Sequence, residues 1–156
     1  MASVRPLRRA TTPIEGESAR GLFCRALGDH GVPLSFTVLR RLGLPHRNVV
    51  TISEDPDLDI EKMARVIRVD VAEIEKRRYR ALGKKKYSFF GLRVPSSAIE
   101  KKVRRFSPGS LASSPYIRAI WELRDLPFCP ESWELLIDTC SCRAKQGWMV
   151  ASVKVV

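Results

Sequence analysis

Apolar positions near the start of the chain recur at helical spacing. From Ala19 to Leu27 they stand at i, i+3, i+4, i+7 and i+8, which predicts an amphipathic helix with one buried stripe. Ser18 has the short hydroxyl side chain of an N-cap, and Gly28 and Gly31 are expected to end the helix. The first dozen residues before this helix are polar and basic and predict a loose arm.

Three shorter helices are predicted before residue 82. The second helix starts at Pro33–Ser35 and ends at Gly43–Pro45, and the third opens at Pro56–Asp59 with Asp59 as its N-cap. The fourth begins at Asp70, again a capping residue. The apolar positions of these helices are Phe36, Leu39, Leu42, Ile60, Met63, Ala64, Ile67, Val71 and Ile74.

The third and fourth helices are joined by only three residues, 68–70. Two short helices with a tight turn, the second ending in cations, are typical of a helix-turn-helix-like arrangement. Plain helical hairpins with solvated arginines have the same pattern. The fourth helix begins Val71-Ala72-Glu73, which offers few side chains for reading bases, so contact with the DNA backbone is favoured.

The charge of the chain indicates a polyanionic partner. Twenty-eight Lys and Arg against 17 Asp and Glu give a net charge of +11, which favours DNA or RNA. No stretch approaches the length of a membrane span, and the basic start lacks the apolar core of a signal peptide. We therefore expect a cytoplasmic protein.

A lysine run between Gly83 and Gly91 marks the predicted joint of the chain. It is followed by Phe89 and Phe90, which we interpret as anchors to the core rather than as stacking platforms. A further helix is predicted over Ser97–Arg105 with its cations exposed, and helical spacing resumes from Tyr116. The predicted DNA-binding residues are Lys76, Arg77, Arg78, Arg80, Lys84, Lys85, Lys86, Lys101, Lys102, Arg104 and Arg105.

The second half of the chain resembles the central block of the TniQ family. The resemblance is carried by the segment 114–123, Ser-Pro-Tyr-Ile-Arg-Ala-Ile-Trp-Glu-Leu, and by Cys129-Pro130, Leu135-Leu136 and Cys140. Pro13-Ile14-Glu15-Gly16-Glu17-Ser18 is similar to the opening of that family, and Leu42-Gly43-Leu44 stands where its second helix tends to end. The similarity thus runs from about Pro13 to Trp148.

The resemblance implies a role in choosing where transposons of the TnsABC type, and their CRISPR-associated relatives, insert. Proteins of this family bridge a target-site DNA complex to a AAA+ ATPase regulator. The implied partners are therefore DNA, that ATPase, and a CRISPR effector or another target-recognition complex. The implied fold is a helical domain followed by small zinc-binding modules.

The chain departs from this family at the expected metal ligands. Ser107 and Ser110 replace the first cysteine pair, Ser132 replaces a histidine, and only Cys129 of that quartet remains. Hydroxyls do not replace thiolates in a structural zinc site. We predict no cofactor, with the second half packing on Trp121, Trp133, Leu135 and Ile137; the open alternative is zinc held by Cys129, Cys140, Cys142 and either His30 or His46.

The predicted fold class is mainly α. A helix-turn-helix-like domain (14–82) follows a flexible basic arm (1–13), and a basic, aromatic linker (83–98) leads to a zinc-ribbon-like module (99–148) that has lost most of its metal ligands. Residues 149–156 are predicted to be an unrelated tail.

An enzyme is not expected, because the sequence has no Gly-rich phosphate loop and no Cys–His nucleophile spacing. Two alternatives stay open. One is a small helix-turn-helix transcription regulator or RNA-binding protein, and the other is an adaptor whose positive face meets an acidic protein surface.

Overall fold

The computed structural model describes residues 5–41 and 48–148. The predicted end of the second helix (Leu42, Gly43 and Pro45), His46 and the tail 149–156 lie outside the described residues. No helix within the described ranges is long and apolar enough to cross a membrane.

Five helices precede residue 80 within the described ranges. They are α1 (Ala19–Asp29), α2 (Phe36–Arg41), α3 (Asn48–Thr51), α4 (Ile60–Ile67) and α5 (Val71–Lys76). The three predicted N-caps are confirmed, because Ser18, Asp59 and Asp70 each accept a hydrogen bond from a backbone N–H of the first turn. The helix α3 was not predicted. A sixth helix, α6 (Pro108–Ser113), begins at its own N-cap, Ser107.

A three-stranded antiparallel sheet follows α5. Its strands are β1 (Arg80–Ala81), β2 (Lys86–Phe89) and β3 (Leu92–Pro95), in that order across the sheet. The β2–β3 turn consists of Phe90 and Gly91, both with positive φ (47° and 86°), the conformation that a two-residue hairpin turn requires. Apolar and polar residues alternate along both strands, so one sheet face is directed to the core.

This sheet shows that the predicted mainly α fold class is wrong. The described residues are 33% helical and 16% strand or isolated bridge, and the segment expected to be a linker contains β2 and β3. The helices predicted over Ser97–Arg105 and from Tyr116 shrink to single 3-10 turns at Ser96–Ala98 and Ala119–Glu122. The intervening backbone instead makes isolated bridges, among them Ile99 with Leu123. The zinc-ribbon-like module is not supported either, because the described residues contain no zinc-site group.

Three clusters of buried apolar side chains form the core. The largest joins α1, α4 and α5 and also receives Trp148 from the far end of the described chain. The second cluster lies between the sheet and the segment 99–123, and the third surrounds Trp121. The described part of the basic arm is attached to α4, because Leu7 and Thr11 donate backbone hydrogen bonds to Val66 and Ile67.

One buried guanidinium connects these layers. Arg20 on α1 is 0% exposed, and its Nη2 lies 2.6 Å from Oε2 of Glu122, which is 3% exposed. The same guanidinium donates to the backbone oxygens of Val50 (2.5 Å) and Glu100 (3.0 Å). Its carbon lies 4.8 Å from the centre of the Trp148 ring. Arg20 thus binds α3, the segment after the sheet, the second 3-10 turn and the last described residue.

Glu122 is held from three sides. Its Oε1 accepts from the Ser18 hydroxyl at 2.6 Å, and its Oε2 accepts from the Tyr79 hydroxyl at 2.5 Å as well as from Arg20. Burial alone would lower the pKa of Arg20, but the Glu122 carboxylate outweighs it and the pKa is raised. Because both charges are desolvated, each depends on the other to remain inside the protein.

Replacing Arg20 with Ala should therefore destabilise the fold by about 3–5 kcal/mol, since it leaves the Glu122 carboxylate buried without its counter-charge. Urea denaturation followed by far-UV circular dichroism measures this. Arg65→Ala, at an exposed position of α4, is the control and should cost less than about 1 kcal/mol. Equal losses of unfolding free energy in the two variants would show that the buried pair contributes no more to stability than an exposed arginine.

Candidate nucleic-acid interface

The sheet presents a cluster of cations that we call the basic sheet face. It comprises Arg80, Lys84, Lys85, Lys86 and Arg93, and the segment 80–95 contains no Asp or Glu. All five residues are exposed. Such a surface can neutralise phosphates, and no acidic residue of the same segment competes with them.

The strand register explains why these side chains lie together. Arg80 on β1 is opposite Ser88 on β2, and Ser88 is opposite Arg93 on β3. Residues directly opposite one another share a face of an antiparallel sheet, and Lys86 shares it too because it precedes Ser88 by two. Tyr87 points to the other face, where it is half-buried.

The inward face of the sheet is anchored by aromatic side chains. Phe89 is buried, with its ring centre 4.9 Å from that of Tyr79. The expected anchoring role is confirmed for Phe89. Phe90 packs edge-on against Phe89 at 5.3 Å but remains 44% exposed at the hairpin turn. An exposed ring therefore stands at one end of the basic sheet face, where a base or sugar could pack on it.

The cations expected on the outer face of the fourth helix are arranged differently. The helix α5 ends at Lys76, so the predicted cationic helix face is wrong. Arg77 is buried and donates to the Glu73 carboxylate at 2.7 Å and to the backbone oxygen of Ile14 at 3.1 Å. Arg78 donates to the backbone oxygen of Asp55. These two arginines hold loops together, because each donates to a backbone oxygen of a segment distant in sequence.

Among the predicted cations after the sheet, some are exposed and others are buried or bonded within the protein. Lys102 is exposed, and Lys101 pairs with Glu54 at 3.1 Å. Arg104 is buried, with its guanidinium carbon 5.9 Å from the centre of the Trp148 ring, so its expected exposure is wrong. Arg105 donates to the backbone oxygens of Trp121 (2.9 Å) and Leu126 (3.0 Å) and also to that of Leu123.

Arg93 was missed by sequence reasoning. The signal was present in the alternation Leu92-Arg93-Val94-Pro95 after a glycine, which is a strand pattern with Arg93 on the polar face. Of the predicted set, Lys76 is exposed but its ammonium is 2.5 Å from Glu73. The structure therefore brings together Arg80, Lys84, Lys85 and Lys86 and adds Arg93.

The four positions where the resemblance implies metal ligands do lie together. Ser110 Oγ is 3.1 Å from Cys129 Sγ, and Ser107 Oγ is 2.8 Å from Ser132 Oγ. Burial would raise the pKa of Cys129, but the Ser110 hydroxyl and the backbone N–H groups of Ser132 and Glu131 favour the thiolate and lower the pKa to about 6. One thiolate and three hydroxyls do not form a structural zinc ligand set.

The alternative zinc ligands do not converge. Cys140 and Cys142 are bonded to each other in a disulfide. His30 Nδ1 lies 2.8 Å from the Ala26 backbone oxygen, and its Nε2 accepts from the backbone of Arg9. No group of three or more His, Cys, Asp or Glu residues within 5–41 and 48–148 could hold a metal ion.

An exposed apolar ridge lies in the segment 128–137. Trp133 is 76% exposed and stacks on Phe128 at 5.3 Å, and Leu135, bridged to Phe128, is 71% exposed. Ile137 continues the row. The expectation that Trp133, Leu135 and Ile137 form the core of this half is therefore wrong, whereas Trp121 is fully buried as expected.

Comparison with known families gives one match. The family model TniQ matches residues 8–132, which is most of the 156-residue chain and includes the sheet and the serine–cysteine cluster. No curated protein matches the chain.

Two cations from the predicted DNA-binding set should differ in how much their loss lowers the free energy of unfolding. Arg105→Ala removes the donors for three backbone oxygens and should lower the free energy of unfolding by about 2–3 kcal/mol. Lys102→Ala, at an exposed position, should leave it within about 0.5 kcal/mol of the wild type. Chemical denaturation distinguishes them, and equal stabilities would refute the structural role of Arg105.

Proposed function

This chain belongs to the TniQ family, and from that premise we propose that it is an adaptor for transposition target-site selection. In this role it contacts DNA weakly and bridges a targeting complex to a AAA+ ATPase regulator. The family serves transposition target selection without catalysis, and its members work within transposition complexes. The family match is the observation that carries the proposal.

The basic sheet face supports the DNA contact. The cations of the basic sheet face are exposed to solvent. Arg80 has an acidic neighbour, since its Nη2 lies 4.0 Å from Oε2 of Glu75. None of the strands presents the Asn, Gln or Glu side chains that would read base edges in a groove. We therefore propose contact with the phosphate backbone, with little sequence preference and a steep dependence on salt.

The apolar ridge supports a protein contact. Exposed large apolar side chains that lie side by side mark interaction surfaces, and Trp is among the residues that contribute most to protein–protein binding. Trp133 and Leu135 are the two most exposed large apolar residues among those that the structure describes. We propose that this ridge binds the AAA+ ATPase regulator, which leaves the basic sheet face available for DNA.

A sequence-reading transcription regulator has less support. The helix α5 has six residues, and the Glu73 carboxylate near its start is engaged by Lys76 and Arg77. The polar side chains on the outward face of the sheet are Arg, Lys and Ser, without the Asn or Gln that pairs with adenine. We place the adaptor in the bacterial cytoplasm at the nucleoid, with a CRISPR effector or another target-recognition complex as its targeting partner.

Removing the central row of the basic sheet face should weaken DNA binding. The variant Arg80→Gln/Lys86→Gln/Arg93→Gln should lose affinity for duplex DNA on the order of tenfold. The slope of log affinity against log salt should fall by about 2 to 3 units, because three phosphate contacts are lost. Fluorescence anisotropy at several salt concentrations measures both quantities.

The matched control removes the same charge elsewhere. Arg5→Gln/Arg65→Gln/Lys145→Gln changes three exposed cations outside the sheet and should alter the salt slope by less than 1 unit. If both triple variants lose the same affinity, the interaction follows net charge and not this surface. Unchanged binding in the sheet variant would favour the adaptor that meets an acidic protein.

Polar substitution of the ridge should disrupt the protein contact. Trp133 has φ +60°, a conformation that Asn tolerates, so Trp133→Asn should keep the fold. Co-purification with the AAA+ ATPase encoded beside this gene should fall at least about tenfold, as expected for loss of a central aromatic contact. Leu92→Asn, a 63% exposed apolar residue on the sheet, is the control. Retention of the ATPase by Trp133→Asn would remove the ridge from the proposal.

A further inference from the structure

Two pairs of short polar residues face each other in the second half of the chain. Ser107 and Ser110 flank the start of α6, and Cys129 and Ser132 flank a tight turn in which the Trp133 N–H donates to the Cys129 backbone oxygen at 2.8 Å. Each pair is separated by two residues, the spacing at which a turn directs both side chains to one point. At such a point a structural zinc ion normally joins the two loops.

The donor set present at this point is not suited to zinc. Ser107, Ser110 and Ser132 supply neutral hydroxyls, and Cys129 supplies the one sulfur. These groups are instead bonded to one another, with Ser107 Oγ 2.8 Å from Ser132 Oγ and Ser110 Oγ 3.1 Å from Cys129 Sγ. The oxygen–oxygen distance is that of an ordinary hydroxyl hydrogen bond.

A fifth residue completes the arrangement. The Glu134 carboxylate accepts from the Ser107 hydroxyl and from the backbone N–H of Gly109 at 2.9 Å. The Ser132 hydroxyl lies 3.3 Å from the same carboxylate, and its one proton serves the shorter bond to Ser107. A carboxylate here also lies at the start of α6, where negative charge is favoured. The carboxylate oxygens of Glu134 therefore link α6 to the turn that carries Cys129. A site closed by zinc would not need this carboxylate.

Gly109 shows how closely this carboxylate approaches the helix. A Cβ built at Gly109 would lie 2.8 Å from Oε1 and 2.9 Å from Oε2 of Glu134. The Glu134 carboxylate thus occupies the space that a side chain at residue 109 would enter.

We propose that this module is closed without metal, by a hydrogen-bonded cluster of Ser107, Ser110, Cys129, Ser132 and Glu134 that takes the place of a zinc site. The cluster joins α6 to the segment 127–137, whose backbone already pairs with Phe106 through Ile137. It also holds the turn from which Trp133 projects. The stability of the module then depends on these side chains and not on the supply of zinc.

Metal analysis of the purified full chain gives the first test. The protein should contain less than about 0.1 zinc per chain by elemental analysis, and incubation with EDTA should leave its melting temperature unchanged. Addition of zinc in slight excess should not raise that temperature. Stoichiometric zinc in the purified protein, or a melting temperature that falls by several degrees with EDTA, would overturn the proposal.

A double-mutant cycle tests the cluster itself. Ser107→Ala should lower the melting temperature by roughly 3 °C or more, because several hydrogen bonds are lost. Glu134→Ala should also lower it, and the double variant should lose clearly less than the sum of the two single losses, since both residues serve one network. Ser113→Ala, an exposed serine of the same helix, should have little effect.

The cycle separates the cluster from simple helix capping. Ser107 also caps α6, and loss of the cap alone would make the effects of Ser107→Ala and Glu134→Ala additive. Additive losses, or a Ser107→Ala variant as stable as Ser113→Ala, would contradict the proposal. If Ser107→Ala does not fold, the zinc content and EDTA response of the wild-type protein still decide between a metal site and the hydrogen-bonded cluster.

Discussion

The fold depends on the buried ion pair between Arg20 and Glu122. Besides the 3-10 turn of Glu122 itself, five separate stretches of the chain meet there: α1, α3, Tyr79, the segment around Glu100 and the last described residue, Trp148. A charge that is removed from water must have its partners in place, so the pair fixes the relative position of all five stretches. The helices and the later irregular half consequently form one body.

That constraint also positions the two surfaces. Tyr79 donates to Glu122 and packs against Phe89, so the sheet is tied to the ion pair through one aromatic side chain. The basic sheet face therefore projects from a fixed support. At the other side, Arg118 bonds Glu131 at 2.6 Å next to the turn that carries Trp133. The proposed bridging role needs two binding surfaces at a defined separation, and these contacts fix the positions of the sheet and of the turn of Trp133.

The helices were predictable and the sheet was not. Apolar spacing and capping residues such as Asp59 and Asp70 are local signals, so α1, α4 and α5 were located correctly. In β2 the run of three lysines obscured the alternation of Lys86, Tyr87, Ser88 and Phe89, because charge was the stronger signal there. Pairing of β2 with β3 is local, across the two-residue turn Phe90-Gly91. Its signals in the sequence are that glycine and the short alternation from Leu92 to Pro95, which are weaker than the charge of the lysine run.

The fate of individual cations could not be read from the sequence either. Arg77, Arg104 and Arg105 look like solvated charges, and each is buried or bonded by acceptors far away in sequence, such as the Ile14 backbone oxygen for Arg77. Arg20 lies in the predicted helix between apolar positions, yet it is the centre of the core because Glu122 comes to meet it. The resemblance to the TniQ family implied that Ser107, Ser110, Cys129 and Ser132 stand at the positions of a ligand quartet, but nothing in the sequence singled out Glu134.

Hydrogen exchange measured residue by residue tests most directly whether the ion pair unites the molecule. The amides of α1, of Tyr79 and of the turn Ala119–Glu122 should exchange through one common opening, with the same free energy in the wild type. They should lose protection together in the Glu122→Gln variant. If α1 kept its full protection while residues 119–122 and the sheet opened in that variant, the two halves would be independent units, and the central role of the Arg20–Glu122 pair would be contradicted.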